Sequence, residues 1–483
     1  MKKKSLLRIS FATLLTLTGF LQVNAQSASR PNIVVITTDQ QSADAMSFVM
    51  GKRWINTPNM DKLASQGVVF KRAYVANPIC GPSRNSIITG LYPHTTRIEG
   101  NKELAVAGNP NQRNNQWTNA DFMSMGTYFK NAGYETAYFG KWHLNYNPQN
   151  ADAHGFETTE FTTENGKDSQ LPGAVNNFLT RQHKNPFLLF VSILNPHNVC
   201  EYARFQTLPD GPIGNEPQPA NLPPIKFNRL PPKNEAEAMT LMRESYHNNL
   251  KLFPVGHYTA NEWRRLAWGY YRLIEKTDSI VGQILASIRK NGFDNNTLIV
   301  FTSDHGESLG AHEFNQKTVF YEESSRVPLI LRYMGKLKPG TNNSLINTGI
   351  DILPTLLDFA GIPKPESLPG KSLKRSAEMK ETLQREYIVI QNKMEQGGPV
   401  GNNLPTVTGR MVRSERYKYC LYDTLKNREE LFDLKNDPGE TINLANKKSV
   451  RDILVRQRGY LKEFATNHND LYALQMLKHV LIN

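Results

Sequence analysis

Cysteine is scarce: Cys80, Cys200 and Cys420 are the only three in 483 residues. That is too few for a disulfide framework, so the fold must rest on a hydrophobic core. At most one bridge can form, and one thiol must have another fate. Long apolar runs are also missing. The best candidate, Ile9 to Leu21, is shorter than the roughly 20 residues that cross a bilayer, and no second one follows, so stable membrane insertion is not expected. Preceded by Lys2, Lys3, Lys4 and Arg8 and followed by Val23-Asn24-Ala25, that run reads as a secretory signal over residues 1–25, cleaved near Ala25. The expected location is periplasmic or secreted. There is no internal repeat, and no cluster of basic and aromatic residues of the kind that binds nucleic acid. The formal charge is +13, and the four signal cations leave the mature chain at +9. A scattered positive excess favours an anionic substrate such as a sulfated or phosphorylated compound.

What is present is an alternation of strands and helices. Asn32 to Thr38 is an almost continuous β-branched run, as expected of a strand buried on both faces of a parallel sheet. Further strands are predicted at Val68–Phe70, Glu135–Phe139, Phe187–Leu194 and Thr297–Thr302, with a long amphipathic helix over Trp263–Ile288. The fold class is therefore α/β: a large, mostly parallel sheet sandwiched by helices, spanning residues 26–384. From about residue 385 to 483 the pattern changes to short alternating segments at Tyr387–Gln391, Thr408–Val412 and Tyr417–Tyr422 with a helix near Ser449–Ala465. This predicts a smaller C-terminal subdomain, an antiparallel sheet covered by a helix. Residues 201–236 carry eight prolines and read as a surface excursion that frames the substrate.

Polar residues cluster just beyond the carboxyl ends of the predicted strands, where ligands bind in open α/β sheets. The most specific cluster is Cys80-Gly81-Pro82-Ser83-Arg84 followed by Thr89-Gly90. Pro82 suits the first turn of a helix, which puts Cys80 at the positive helix end, where an anion is stabilised. The stretch resembles the signature of the type I, formylglycine-dependent sulfatases of the alkaline phosphatase superfamily, and the chain is similar to bacterial carbohydrate sulfatases. The resemblance implies that a formylglycine-generating or radical maturation enzyme oxidises Cys80 to formylglycine (3-oxoalanine), whose hydrate attacks sulfur. Arg84 would steady the hydrate, and Ser83 would serve recognition by the maturation enzyme.

A second cluster suits a metal. Asp39-Gln40 and Asp304-His305 each follow a predicted strand and offer two carboxylates, an amide oxygen and an imidazole. Such an oxygen-rich set fits Ca²⁺, with Mg²⁺ or Mn²⁺ as alternatives. The commonest sulfatase pattern has Asp-Asp at the first pair and often Asp-Asn at the second. Gln40 and His305 instead resemble the branch that includes phosphonate monoester hydrolases.

By the same resemblance, Lys141 contacts the formylglycine, His143 assists collapse of the covalent intermediate, and His197 contacts sulfate and protonates the leaving oxygen. Lys317 binds sulfate, with His312 a further substrate contact. Arg410 and Arg413, near the smaller subdomain, are candidate contacts to a polyanionic saccharide such as a glycosaminoglycan. Two other readings are kept: a phosphonate monoester or phosphodiester hydrolase, and an inactive secreted glycan-binding protein. The tryptic peptide Ala73–Arg84 separates the last from an enzyme. After native expression its mass is expected to show CH₂SH replaced by an aldehyde at position 80, and an unmodified thiol would favour the binder.

Overall fold

A computed structural model describes residues 30–104, 116–162 and 167–481. The expected signal, residues 1–25, lies outside them. The first predicted strand is β1, Asn32–Asp39, buried along its whole length. Its side chains alternate between two apolar clusters, Val34 and Ile36 in one, Ile33 and Val35 in the other. Both faces of the strand are covered, which is why its sequence is apolar without a period of two.

Seven more strands complete the sheet: β2 (Val68–Tyr74), β3 (Glu135–Lys141), β4 (Thr158–Thr162), β5 (Phe187–Pro196), β6 (Thr297–Ser303), β7 (Leu329–Tyr333) and β8 (Gly340–Asn347). Their order is β4-β3-β5-β1-β6-β7-β2-β8. Only β7 runs antiparallel to its neighbours. The helix Ala260–Lys290 covers one face with Trp263, Leu266, Tyr270, Ile274 and Ile284. It starts in a capping box, Glu262 N–H donating to the Thr259 hydroxyl and Thr259 N–H to the Glu262 carboxylate. The opposite face is covered by the helices Cys80–Thr89 and Thr348–Phe359, through Ile87, Ile88, Ile352, Leu353 and Leu356.

One register matters for everything that follows. β1 and β6 are adjacent and parallel, with Thr38 opposite Ser303. Asp39 and Asp304 therefore leave the sheet side by side.

The second sheet is antiparallel, in the order β12-β11-β10-β9. Its strands are β9 (Tyr387–Met394), β10 (Val407–Ser414), β11 (Tyr417–Tyr422) and β12 (Glu429–Asp433). The helix Arg451–Asn467 covers it, packing Leu454, Leu461 and Phe464 on Val412, Tyr419 and Leu421. The two-sheet architecture is the predicted one. β12 and a terminal helix, Leu471–Leu481, were not anticipated. All three thiols are buried and free, so no bridge joins Cys200 and Cys420.

The two arginines of β10 are placed differently from each other. Arg410 is fully enclosed, its Nη1 2.8 Å from Glu99 and its Nε 2.6 Å from Asp470. The Nε of Arg413 donates to the Tyr74 hydroxyl at 2.8 Å. β10 lies between β9 and β11; Arg410 is committed to buried partners rather than presented to a saccharide, whereas Arg413 also lines a cavity of about 490 Å³ with Arg72, Lys226 and Arg326. Replacing Arg410 with Ala leaves Glu99 and Asp470 without their buried cation. The expected cost is about 3–5 kcal/mol, read by urea unfolding. A loss below about 1 kcal/mol would mean the pair is solvated as a surface ion pair is.

Candidate active site

Cys80 is the first residue of the helix Cys80–Thr89, with Ile79 as N-cap in an extended conformation. Its Sγ lies 2.8 Å from Lys317 Nζ, 3.1 Å from His305 Nε2 and 3.8 Å from Asp39 Oδ1. Sγ marks where the oxygens of an oxidised side chain would sit. Burial and the Asp39 charge push the thiol's pKa up, but Lys317, Lys141 and His305 outweigh them and hold it well below the ordinary thiol value. The pocket is thus built for negative charge at position 80.

The two carboxylates are tied together by one guanidinium. Arg84 places Nε 2.8 Å from Asp304 Oδ2 and Nη2 3.1 Å from Asp39 Oδ2, while Nη1 donates to Ser192 Oγ at 2.6 Å. A planar fork of donors can span two acceptors in this way and an ammonium cannot. Arg84 thus bridges the two carboxylates beside Cys80. Lys141 Nζ closes on Asp39 Oδ2 at 2.7 Å. Burial raises the Asp39 carboxyl, but the cations Lys141, Arg84 and Lys317 reverse this and hold it well below the usual range. Asp304 is instead raised, by burial and by Asp39 beside it. The Ser83 hydroxyl donates to the Asp304 carbonyl at 2.5 Å, joining the helix start to the β6 loop.

Lys141 ends β3, and the residue before it must be glycine. Gly140 has φ +101°, and a Cβ there would collide with the Ser192 carbonyl. The chain then turns at His143, which has φ +49°. Lys141 and His143 line one cavity of about 350 Å³ with Cys80, His197 and Lys317. His143 Nδ1 is buried there without a protein partner. Burial, Lys317 and Lys141 push the His197 pKa well down, so its imidazole is neutral and serves as a hydrogen-bonding group rather than a cation. Glu201 and Arg204, from the start of the Pro-rich excursion, line the same cavity. His312 does not: its ring packs on Tyr321 at 3.9 Å between centroids, beside Asn228.

With this geometry in hand, comparison with known proteins is decisive. The family model described as Sulfatase matches residues 31–362. The chain belongs to the sulfatase family. The C-terminal region of N-sulphoglucosamine sulphohydrolase matches residues 310–467. A delta 4,5-hexuronate-2-O-sulfatase of Bacteroides thetaiotaomicron is 29% identical over 93% of this chain and 91% of its own. An N-acetylglucosamine-6-O-sulfatase of the same organism is 26% identical over 94% of this chain and 90% of its own. Among solved structures, the 2-O GAG sulfatase BT1596 superposes with a TM-score of 0.79 at 25% identity, covering 92% of this chain and 94% of that one. A phosphonate monoester hydrolase of Agrobacterium radiobacter shares the fold, with a TM-score of 0.72 at 23% identity over 91% of this chain and 96% of its own. The protein is a sulfuric ester hydrolase by family.

In this sulfatase the ligand atoms of Asp39, Cys80, Asp304 and His305 all lie within 4.8 Å of one another. His305 Nδ1 donates to the Gly306 carbonyl at 2.9 Å, which turns Nε2 toward Asp39 Oδ1 and Asp304 Oδ1, both 3.6 Å away. Two carboxylate oxygens and an imidazole nitrogen converging on one point call for a positive species there, a proton on Nε2 or a metal ion between the three. The donor set therefore fits a divalent cation. Gln40 follows directly on the cluster, its Nε2 donating to Glu307 at 2.5 Å and its Oε1 3.3 Å from Lys317 Nζ.

Two buried carboxylates, Glu307 and Asp168, escaped the sequence reading because neither stands in a recognised motif. Asp168 accepts from Leu194 N–H at 2.8 Å and from Asn195 N–H at 2.7 Å and Nδ2 at 2.8 Å, pinning the turn that carries His197. Burial raises its pKa from 3.8 to about 6. A carboxyl whose pKa is raised by folding contributes stability below its unfolded pKa and loses it as pH rises through the folded one. Unfolding free energy measured against pH is thus expected to contain a term that falls between about 4 and 6. Asp168→Asn removes that term; an unchanged profile would show that Asp168 is not the titrating group.

Proposed function

We propose that this sulfatase removes sulfate from a saccharide, with the residue at position 80 acting after oxidation of Cys80 to formylglycine. The observation that carries the reading is the meeting of Lys317 Nζ, His305 and the helix N-terminus on Cys80 Sγ, at the floor of a cavity walled by Lys141, His143 and His197. The hydrated aldehyde would supply a hydroxyl that attacks sulfur and a second hydroxyl whose collapse frees sulfate, a route that a plain Ser lacks. A divalent cation held by Asp39, Asp304 and His305, Ca²⁺ by the oxygen donors with Mg²⁺ or Mn²⁺ as alternatives, would ionise that hydroxyl and offset charge on the sulfuryl oxygens.

The chain's own residues do the rest. Lys317 and Lys141 bind the sulfuryl oxygens as point charges, which tolerate a tetrahedral group moving through its transition state. Arg84 fixes the two carboxylates and neutralises the charge that burial would otherwise make untenable. Neutral His197 donates a hydrogen bond to the leaving oxygen, which takes its proton from water, and His143, with its free Nδ1, takes the proton of the second hydroxyl as sulfate departs and the aldehyde re-forms. The hexuronate and glucosamine sulfatases among its relatives support a glycosaminoglycan or similar sulfated glycan as substrate. Export through the signal at residues 1–25 and modification by a maturation enzyme complete the reading.

Lys317→Ala is expected to lower turnover about a hundred- to a thousand-fold, the usual cost of one transition-state charge contact. Cys80→Ala should abolish sulfate release while leaving the unfolding transition intact. Sulfate release from the Cys80→Ala protein would sink the assignment. Phosphonate hydrolysis remains favoured by Gln40 and His305 alone; an aryl phosphonate ester hydrolysed faster than the matching aryl sulfate would establish it instead.

A further inference from the structure

A second cavity, of about 490 Å³, shares no lining residue with the one at Cys80. Glu307 stands in the wall between them: it lines the second cavity and accepts at 2.6 Å from the N–H of Gln316, which lines the first. The second cavity is walled by Lys71, Arg72 and Tyr74 of β2, Arg413 of β10, and Lys226 and Phe227 of the Pro-rich excursion, so both sheets contribute to it.

Its carboxylates are already matched. Arg326 lies 2.6 Å from Asp44 and 3.0 Å from Glu322, Lys418 lies 2.9 Å from Glu322, and Lys226 lies 3.6 Å from Glu323. The Glu307 carboxylate turns away, to Gln40 and the Leu309 N–H. Lys71, Arg72 and Arg413 have no such match, and among the described residues none of them forms an ion pair. Arg72 is held by neutral acceptors, its Nε 2.6 Å from the Asn343 carbonyl and its Nη1 3.3 Å from the Glu415 carbonyl. Arg413 is held by the Tyr74 hydroxyl and the Ser414 carbonyl. Burial and the neighbouring Arg413 charge lower the Arg72 pKa. Two guanidiniums fixed by uncharged groups and repelling each other offer an oxyanion a forked set of donors.

At the rim Phe227 is 81% exposed, yet it is held in place. Its ring rests on Gly439, where a Cβ would stand 2.5 Å from it, and the adjacent Asn228 amide donates to Glu323 at 2.9 Å and to the Gly439 carbonyl at 3.2 Å. A fixed aromatic ring beside unmatched cations suits a sugar that carries acidic groups.

We propose that this cavity is a second saccharide site, which takes a non-reacting sulfate or carboxylate of a polyanionic glycan on Arg72, Arg413 and Lys71 with a sugar ring against Phe227. The choice of a glycan rests on the functional reading above; the anion site rests on the charges alone.

The test is a titration of a fluorescein-labelled heparin octasaccharide, read by anisotropy, into the full-length chain carrying the unmodified Cys80 thiol, which leaves the probe intact. Arg72→Glu places a carboxylate beside Arg413, where it can pair with the guanidinium, keep the fold and occupy the anion's place. Octasaccharide affinity is expected to fall at least about ten-fold. Phe227→Ala, at an exposed position where the fold is not at issue, is expected to weaken binding about three-fold or more. Hydrolysis of a small aryl sulfate by the matured variants should be unchanged, because neither residue lines the cavity at Cys80. Wild-type octasaccharide affinity in either variant, equal affinity for a desulfated octasaccharide, or binding lost in Lys317→Ala but kept in Arg72→Glu would each overturn the proposal. If the matured protein hydrolysed no sulfate ester while octasaccharide binding followed the expected pattern, the functional reading would fail and the anion site would stand.

Discussion

Two carboxylates forced side by side in a dry interior are the constraint around which this protein is arranged. Asp39 and Asp304 end adjacent parallel strands, and the register that pairs Thr38 with Ser303 leaves them no separation. Two like charges at such a spacing would not both ionise unaided. The structure compensates with Arg84 across both, Lys141 on Asp39, and His305 turned so that its Nε2 faces the same point. Every one of these groups is less than a tenth exposed, so each contact acts at low dielectric and none can be removed without exposing the others' desolvation cost.

From that cluster the catalytic logic follows outward. The positive helix end at Cys80 and the ammonium of Lys317 collect negative charge at position 80, while the carboxylates and His305 collect positive charge beside it. A nucleophile and a metal can then share a boundary a few ångströms wide. Supporting groups sit one step further away: Asp168 under the His197 turn, Glu307 under the Lys317 loop, Ser83 joining helix to strand. Precision at such a site depends on that outer layer as much as on the reacting groups.

Much of this was legible in the sequence, for physical reasons. β1 announced itself because both faces are covered, leaving no polar position in its run. The Cys80 helix start was marked by Pro82, and Asp39 and Asp304 by their place after apolar strands. What was not legible depends on contacts between distant segments. Arg410 looks like a surface cation until Asp470, sixty positions later, encloses it. His312 lies near Lys317 in sequence but turns away through a left-handed backbone to pack on Tyr321. Gln40 follows Asp39 in the sequence, and only the buried Glu307 reveals where its Nε2 points. The excursion from residue 201 contributes Glu201 and Arg204 to the cavity, whereas Asn228 and Lys233, later in it, bond to the Gly439–Ile442 turn of the C-terminal region.

The central claim is that Asp39, Asp304 and His305 gather one divalent cation against the side chain at position 80. Anomalous diffraction from crystals of the matured protein grown with Mn²⁺ tests it directly. The account predicts a single strong peak about 2.0–2.3 Å from oxygens of both aspartates and from His305 Nε2, with Gln40 still bonded to Glu307. A peak placed elsewhere, or none among these three side chains, would contradict it.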